Sequence, residues 1–229
     1  MKFIKKIVIV VIIALVAFLA WTIHGGYKMY KEALKEAQIE EKVVNIKKID
    51  NYTEFEKLPK TYVNAIIAIE DRRFYEHKGF DVISIGRAIL KDIKEKSLVE
   101  GGSTITQQLV KNIYFTQEKD FRRKIAEIFM AVELENNLNK NEILELYVNT
   151  CYFGNRYYNI HDAAKGYFEK EVENLSDYEC IMLAGIPNAP SVYAPNKNPD
   201  LAKQRAEQVL NKMVEYGYLS QEEAIKIKE

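Results

Sequence analysis

The sequence predicts a mainly α fold that follows a single N-terminal membrane-spanning helix. Three observations carry this prediction: an apolar run without charges, several helix-start signals, and few alternating strand patterns. The run from Ile7 to Ile23 contains no charged residue and follows Lys2, Lys5 and Lys6. Its 17 residues are at the short end of the length that spans a bilayer as a helix.

The apolar run is expected to be an uncleaved anchor rather than a signal peptide. The apolar region of a signal peptide is usually about 7–15 residues long and ends at a small-residue cleavage site. By the positive-inside rule, the preceding lysines hold the N-terminus in the cytoplasm. We therefore predict a cytoplasmic segment over residues 1–6, an anchor over 7–23, a membrane-proximal helix or linker over 24–49, and an extracytoplasmic domain over 50–229. The lysine-rich stretch after residue 41 is expected to be extended.

The composition argues against some classes of function. Lysine plus arginine and aspartate plus glutamate both total 33, so the formal net charge is zero. Nucleic-acid-binding domains usually carry a basic patch, so this balance gives no support for such a partner. The three histidines and two cysteines lack the spacing of zinc ligands. We expect Cys151 and Cys180 to be buried free thiols rather than a disulfide.

Helix-start signals mark much of the chain after residue 58. Capping-box spacing, in which an N-cap residue precedes an acid by three positions, predicts three helix starts. These pairs are Asn139 with Glu142, Ser176 with Glu179, and Ser220 with Glu223. Asp120 is a further predicted N-cap, whereas the four prolines within residues 185–200 predict a rigid, non-helical loop. The hydrophilic segment 91–102 is expected to be mobile without substrate.

The segment AIIAIEDRRFYEHKGFD, residues 65–81, places an acid at the end of an apolar helix. Glu70 follows Ile66 and Ile67 at four- and three-residue spacing, so the three share one face. Partial burial there would raise the pKa of Glu70 toward the working range of a general base. The alternative is a glutamate at a frayed helix end that turns to water, and the pattern leaves both open.

The segment EGGSTITQQLVKN, residues 100–112, predicts a glycine-containing loop that opens a helix. Ser103 is the predicted N-cap. Helical spacing then predicts a polar series that consists of Thr104, Gln107, Gln108 and Lys111. Free N–H groups at such a helix start favour anions, and a row of hydrogen-bonding groups that ends in a cation suits a polar ligand. An ordinary flexible loop with a capped helix is the alternative interpretation.

The segment FRRKIAEIFMAVELE, residues 121–135, predicts a helix with a second acid among apolar neighbours. The predicted core face consists of Phe121, Ile125, Ile128, Phe129 and Val132. Glu127 lies on another stripe, one turn after Arg123. In one interpretation, the two residues form a simple i,i+4 ion pair. In the other, the Glu127 carboxylate orients cations that are able to hold a phosphate.

Taken together, these segments resemble the motifs of the peptidoglycan glycosyltransferases, the family 51 glycosyltransferases. The pattern E-D-x-x-F-x-x-H-x-G is met by Glu70, Asp71, Phe74, His77 and Gly79. The pattern G-G-S-T-I-T-Q-Q-L-x-K-N is met from Gly101 to Asn112, and R-K-x-x-E is met by Arg123, Lys124 and Glu127. Residues 143–149 and 181–195 resemble the fourth and fifth motifs. The resemblance runs from about residue 50 to the C-terminus.

The resemblance implies a lysozyme-like α domain with a catalytic lobe and a smaller membrane-proximal lobe. It also implies an enzyme that polymerises lipid II into glycan strands, inverts the MurNAc anomeric carbon and releases undecaprenyl pyrophosphate. In that scheme Glu70 is the base for the acceptor hydroxyl, and Glu127 orients cations or holds a divalent ion. The implied substrate-binding residues are Asp71, Phe74, Thr104, Gln107, Gln108, Lys111, Asn112, Arg123 and Lys124. His77 is expected mainly to fix the loop after Glu70.

The implied partners are lipid II, the growing glycan strand, the membrane and other cell-wall synthesis and division proteins. No cofactor is expected to be essential, and Mg²⁺ or Mn²⁺ held through Glu127 at the pyrophosphate remains an alternative. The chain contains no S-x-x-K nucleophile motif, which favours a monofunctional polymerase. A lysozyme-like hydrolase and a non-catalytic membrane-anchored scaffold are the alternative functions.

Overall fold

The computed structural model describes residues 2–95, 102–115 and 120–228, and within these ranges it contains helices and no strand. The helices are α1 (Lys2–Glu36), α2 (Ile39–Lys47), α3 (Lys60–Glu70), α4 (Val82–Glu95), α5 (Ile105–Tyr114), α6 (Phe121–Asn137), α7 (Lys140–Val148), α8 (Ile160–Phe168), α9 (Asp177–Gly185), α10 (Pro190–Tyr193), α11 (Pro199–Glu215) and α12 (Gln221–Lys228). The predicted mainly α class is confirmed. Residues 96–101, half of the segment predicted to be mobile, lie outside the described ranges.

The first helix joins the predicted anchor and the predicted membrane-proximal segment without a break. Its most apolar window has a mean hydropathy of 2.8 and is 6% buried, so α1 is long and apolar enough to cross a membrane. Gly25 and Gly26 do not interrupt it, because they are the points where α1 contacts α6. A Cβ on Gly26 would lie 2.6 Å from the Ile125 side chain and 2.8 Å from the Arg122 carbonyl oxygen. Only glycine permits this close approach.

The lysine-rich stretch after residue 41 is helical, so the prediction of an extended segment is wrong. It forms most of α2, in which Ile39 and Ile46 are buried and Val43 packs against the core. These residues recur at four- and three-residue spacing, which is the signature of one helical face. The intervening lysines obscured this short apolar stripe.

The core of the domain consists of two contacting groups of helices. α3 packs against α9 and α11, and α5 packs against α6 and α7. The largest fully buried side chains are Tyr62, Ile66, Ile67, Phe74, Ile105, Leu109, Met130, Leu134, Ile143, Leu144, Tyr147 and Phe153. Both cysteines are buried and free, as predicted. This packing brings the C-terminal end of α3 beside α5.

The predicted helix caps are present with one correction. Asn139, Ser176 and Ser220 each form the expected capping box, and Asp120 caps α6. The N-cap of α5, however, is Thr104 rather than Ser103. Thr104 Oγ1 accepts a hydrogen bond from the Gln107 N–H, and Gln107 Oε1 accepts one from the Thr104 N–H. A capping box needs its glutamine or glutamate three residues after the cap. Gln107 is three residues after Thr104, so Thr104 rather than Ser103 is the cap.

The proline-containing segment 185–200 is not the non-helical loop that the sequence predicts. It contains a 3₁₀ turn over Ile186–Asn188 and the short helix α10, and α11 begins at Pro199. In each case a proline occupies the first or second helical position. The missing N–H of proline does no harm there, since those N–H groups have no partner within the helix.

The buried face of α6 also differs from the predicted one. Phe121 is 78% exposed, while Ile125 and Phe129 face α1, with the Phe129 ring centre 5.4 Å from that of Tyr27. The buried residues of α6 are Ala126, Glu127, Met130, Ala131 and Leu134. α6 packs against α1 on one side and against α5 on another, so apolar residues lie on both sides. Their pattern therefore does not show which side faces the core. Glu127 consequently points into the domain.

Candidate active site

Glu70 is the last residue of α3, and its carboxylate is nearly buried, with 8% of the side chain exposed. Gln108 Nε2 donates a 2.7 Å hydrogen bond to Glu70 Oε2. Glu70 Oε1 accepts no hydrogen bond from the described residues, and Arg205 Nη2 lies 3.9 Å from it. Burial raises the pKa of Glu70, while the Gln108 hydrogen bond and the Arg205 charge oppose that rise. The alternative of a carboxylate turned to water is therefore wrong.

Asp71 joins the end of α3 to the start of α5. Its buried Oδ2 accepts a 3.0 Å hydrogen bond from the Ile105 N–H and lies 2.8 Å from His77 Nε2. The backbone of Asp71 leaves the helical region at φ −156°, which ends α3 directly after Glu70. These contacts hold Glu70 against the helix that carries Gln108. Asp71 thus lies among protein groups rather than on an open surface.

Phe74 and His77 lie in a buried network behind the loop that follows Glu70. His77 Nδ1 is 3.5 Å from Lys140 Nζ and 3.9 Å from Glu135 Oε1. Lys140 contacts Glu135 at 2.7 Å and lies 4.6 Å from the centre of the Phe74 ring. Phe74 is fully buried. The positions of both residues support the loop-fixing role expected for His77, and Phe74 presents no surface to a ligand.

The polar residues that begin α5 divide into two groups. Thr104 and Gln107 are buried and occupied by the capping box, and Thr104 Oγ1 also donates to the Gly79 carbonyl oxygen at 2.7 Å. Gly79 has φ +80°, and a Cβ there would lie 2.7 Å from the Ala131 carbonyl carbon. The position whose carbonyl oxygen contacts Thr104 therefore requires glycine. The structure therefore gives Thr104 and Gln107 a role in shaping the start of α5.

The second group of α5 residues lies nearer to solvent and to Glu70. Gln108 contacts Glu70 directly, and the charge of Lys111 lowers the pKa of Glu70. Asn112 is exposed, and its Nδ2 donates to the Thr150 carbonyl oxygen at 3.3 Å. Gln108 and Lys111 are consequently the members of the predicted polar series that a bound substrate could reach, together with Asn112.

Glu127 lies on α6 with 2% of its side chain exposed and a cation at each oxygen. Arg123 Nε is 3.0 Å from Oε1 and Lys124 Nζ is 3.1 Å from Oε2. The Arg123 contact is an ion pair whose angle is not that of a hydrogen bond. Lys124 Nζ also donates to Ser103 Oγ at 2.6 Å. Glu127 therefore holds two basic side chains, one of which, Lys124, reaches the start of α5.

The surroundings of the two carboxylates meet along α5. Lys124, which contacts Glu127, reaches Ser103 just before the helix begins. Gln108, which contacts Glu70, lies about one helical turn further along. The structure thus connects both predicted acids to α5, Glu70 through Gln108 and Glu127 through Lys124.

The arrangement can be compared with known proteins. A family model described as Transglycosylase matches residues 36–214. The chain belongs to the transglycosylase family. The match confirms the family that the motifs resemble, and with the helical fold it confirms the predicted lysozyme-like class.

Two relatives and one solved structure illustrate the similarity of this transglycosylase chain. Penicillin-binding protein 1F of Bacillus subtilis is 48% identical over 169 residues, which are 74% of this chain and 24% of that protein. Penicillin-binding protein 1A of Aquifex aeolicus is 42% identical over 172 residues, which are 75% and 24% of the two chains. The crystal structure of penicillin-binding protein 1A from Haemophilus influenzae has a TM-score of 0.46 at 22% identity and covers 77% of this chain and 17% of that one. The chain thus spans about a quarter of the length of these curated relatives.

Arg205 is a residue of this transglycosylase site that the sequence did not identify. It lies on α11, where Nε donates to the Gly185 carbonyl oxygen at 3.2 Å and the guanidinium carbon is 5.4 Å from the centre of the Tyr193 ring. These contacts aim Nη2 at Glu70. No local pattern marks Arg205, because its importance arises only when α11 packs against α3.

The residues around Glu127 do not fit a divalent metal ion. Both carboxylate oxygens already contact cations, and the described residues contain no group of three or more His, Cys, Asp or Glu side chains placed to share an ion. Mg²⁺ prefers several oxygen ligands, including carboxylates that are free to bind it. The geometry instead gives Glu127 the role of orienting Arg123 and Lys124.

Proposed function

We propose that this chain is a membrane-anchored peptidoglycan glycosyltransferase that polymerises lipid II into glycan strands. The observation that carries this proposal is the nearly buried Glu70 carboxylate, one oxygen of which accepts no hydrogen bond from the described residues. A buried polar atom without a partner is uncommon in folded proteins. Such an atom is suited to accept a proton from the hydroxyl of a bound substrate. Membership of the transglycosylase family supports the same reaction class.

Glu70 is the general base of the proposed reaction. Its Oε1 accepts the proton of the acceptor 4-hydroxyl as the hydroxyl oxygen bonds to the anomeric carbon of the donor MurNAc. The raised pKa brings the carboxylate closer to the pH at which proton transfer is most efficient. Gln108 holds Oε2 and so directs Oε1 toward the acceptor.

Basic side chains of α5 and α6 stabilise the departing diphosphate. As the bond between the anomeric carbon and the phosphate oxygen breaks, negative charge develops on undecaprenyl pyrophosphate. Fixed cations stabilise such charge most effectively when they are already in position. Lys124 and Arg123, oriented by Glu127, and Lys111 on α5 supply them. Attack and departure on opposite sides of the carbon invert its configuration.

The N-terminal helix anchors the enzyme beside its lipid-linked substrate in this proposal. Its apolar part is long enough to cross the bilayer, and the three lysines at its start place the N-terminus in the cytoplasm. The domain after α1 then lies on the extracytoplasmic side. Protease added outside intact spheroplasts should digest this domain, and its protection there would contradict the topology.

Incubation of the full chain with purified lipid II tests the proposed reaction. We expect glycan polymer from the wild type and a rate at least about 100-fold lower from Glu70→Gln. Preformed glycan strands serve as a second substrate. Cleavage of those strands without polymer formation would identify a hydrolase, and equal polymer from wild type and Glu70→Gln would remove Glu70 from the mechanism.

A further inference from the structure

A chain of two hydrogen bonds reaches Glu70 from α7. The Tyr147 hydroxyl donates to Gln108 Oε1 at 3.2 Å, and Gln108 Nε2 donates to Glu70 Oε2 at 2.7 Å. Tyr147 is fully buried, and this burial raises the pKa of its hydroxyl well above the usual value. The hydroxyl therefore keeps its proton and remains a donor.

The direction of the Gln108 amide affects the protonation of Glu70. A glutamine amide has an NH₂ group and an oxygen of nearly the same shape, so either can face a neighbour. The NH₂ group stabilises an ionised carboxylate, whereas the oxygen would accept a hydrogen bond from a protonated one. The Tyr147 hydroxyl also hydrogen-bonds the Cys151 thiol, but sulfur is a much weaker acceptor than an amide oxygen. The proton of the hydroxyl therefore goes to Gln108 Oε1, and this contact turns the NH₂ group toward Glu70.

We propose that Tyr147 is a positioning residue that locks the Gln108 amide with its NH₂ group toward Glu70. The lock favours the ionised carboxylate and so keeps Glu70 ready to accept a proton. The catalytic consequence rests on the proposed function, whereas the lock itself is a property of the fold. Tyr147 acts only through Gln108.

The other groups that face Glu70 cannot replace this lock. The charged ones are Arg205, Lys111 and Asp71, and the uncharged ones are Tyr62 and Cys151. Arg205 and Lys111 lower the pKa of Glu70 by their charge and Asp71 raises it, but none of them contacts the Gln108 amide. Burial raises the pKa of Tyr62, and that of Cys151 to about 12, so both stay neutral.

The variant Tyr147→Phe removes the hydroxyl and keeps the ring. Tyr62→Phe is its matched control, because Tyr62 is equally buried and its hydroxyl has no hydrogen-bond partner among the described residues. We expect Tyr147→Phe to polymerise lipid II roughly tenfold more slowly at neutral pH. The rate recovers as the pH rises, since the loss of the lock moves the acid limb of the pH profile upward. Tyr62→Phe keeps the wild-type profile.

A double-mutant cycle with Gln108→Met tests whether Tyr147 acts through Gln108. In the Gln108→Met background, Tyr147→Phe should move the acid limb no further, because the intermediate amide is absent. The same movement in both backgrounds would overturn the proposal. If Tyr147→Phe does not fold, Tyr147→Met also lacks the hydroxyl and takes its place.

Carbon-13 titration of the Glu70 side-chain carboxyl tests the lock without lipid II. The full chain is labelled at glutamate and studied in detergent, and the Glu70→Gln spectrum assigns the signal. We expect the titration midpoint to rise in Tyr147→Phe and to stay unchanged in Tyr62→Phe. An unchanged midpoint in Tyr147→Phe overturns the lock even if the wild type polymerises lipid II. If the midpoint rises in Tyr147→Phe but the wild type does not polymerise lipid II, the result supports the role of Tyr147 in fixing the Gln108 amide. It then contradicts only the proposed function.

Discussion

The two buried glutamates of this transglycosylase have opposite surroundings. Glu70 accepts one hydrogen bond, from a neutral amide, and its nearest described cation is 3.9 Å away. Glu127 has a cation at 3.0 Å from one oxygen and another at 3.1 Å from the other. Both side chains are at most 8% exposed. Burial alone therefore does not distinguish them.

The difference shows that the surrounding groups can suit two buried glutamates to different roles. A carboxylate between two cations fixes their positions through charge-assisted contacts. A carboxylate in a nearly dry pocket with one oxygen left without a hydrogen bond can accept a proton from a substrate. We therefore expect the same substitution, glutamate to glutamine, to have different consequences at the two positions.

The largest effect on activity is expected at Glu70. Glu70→Gln keeps the shape and the burial but removes the proposed base, so polymerisation of lipid II should fall by at least about 100-fold. Glu145→Gln is the matched control, because Glu145 is also a buried glutamate but binds Tyr52 and the Phe55 N–H away from the site. A similar loss of rate per folded molecule in Glu145→Gln would show that the assay reports damage to the fold.

A smaller loss of activity is expected at Glu127. Glu127→Gln removes the negative charge that Arg123 and Lys124 contact, and the two cations then lose their fixed orientation. We expect roughly a tenfold lower rate and a free energy of unfolding lower by about 2 kcal/mol. Urea unfolding and initial rates of the same preparation measure both quantities. A rate loss as large as that of Glu70→Gln would contradict the difference in roles.

The pH dependence of stability should reveal the raised pKa of Glu70. The pKa of Glu70 is raised in the folded state above its ordinary value of 4.5, so the fold favours the protonated form. The associated stability is fully present below the unfolded pKa and is lost as the pH rises through the folded pKa. Glu70→Gln should therefore be more stable than the wild type at neutral pH, with the difference disappearing near pH 4. Urea unfolding at the two pH values measures this, and a less stable variant at neutral pH would contradict it.

The smallest effect on the chemistry is expected where α1 contacts α6. A Cβ on Gly26 would lie 2.6 Å from the Ile125 side chain, so Gly26→Ala forces the two helices apart. We expect the free energy of unfolding to fall by about 1–3 kcal/mol. The acid limb of the pH–rate profile should not move, because the surroundings of Glu70 are unchanged. Movement of that limb would show that α1 influences the base.

The features that the sequence predicted correctly depend on residues close together in the chain. Capping boxes at Asn139 and Ser176, the contact between Arg123 and Glu127, and the position of Glu70 at the end of an apolar helix all arise within one or two helical turns. Local spacing determines such features, so one sequence is enough to predict them.

The features that the sequence missed depend on packing between distant segments. Arg205 and Tyr147 reach the Glu70 pocket from α11 and α7, and no spacing along the chain connects them to it. Phe121 was placed on the core face because α6 is apolar on two sides, one of which covers α1. The sequence could therefore identify the acids of the site but not the groups that reach Glu70 from distant helices.

The most direct test of the account is the initial rate of lipid II polymerisation as a function of pH, measured for the wild type and Glu70→Gln. The account predicts a wild-type acid limb with a midpoint above the ordinary pKa of glutamate, and a low residual rate without that limb in the variant. A variant that keeps the wild-type rate and the same acid limb would show that another group is the base.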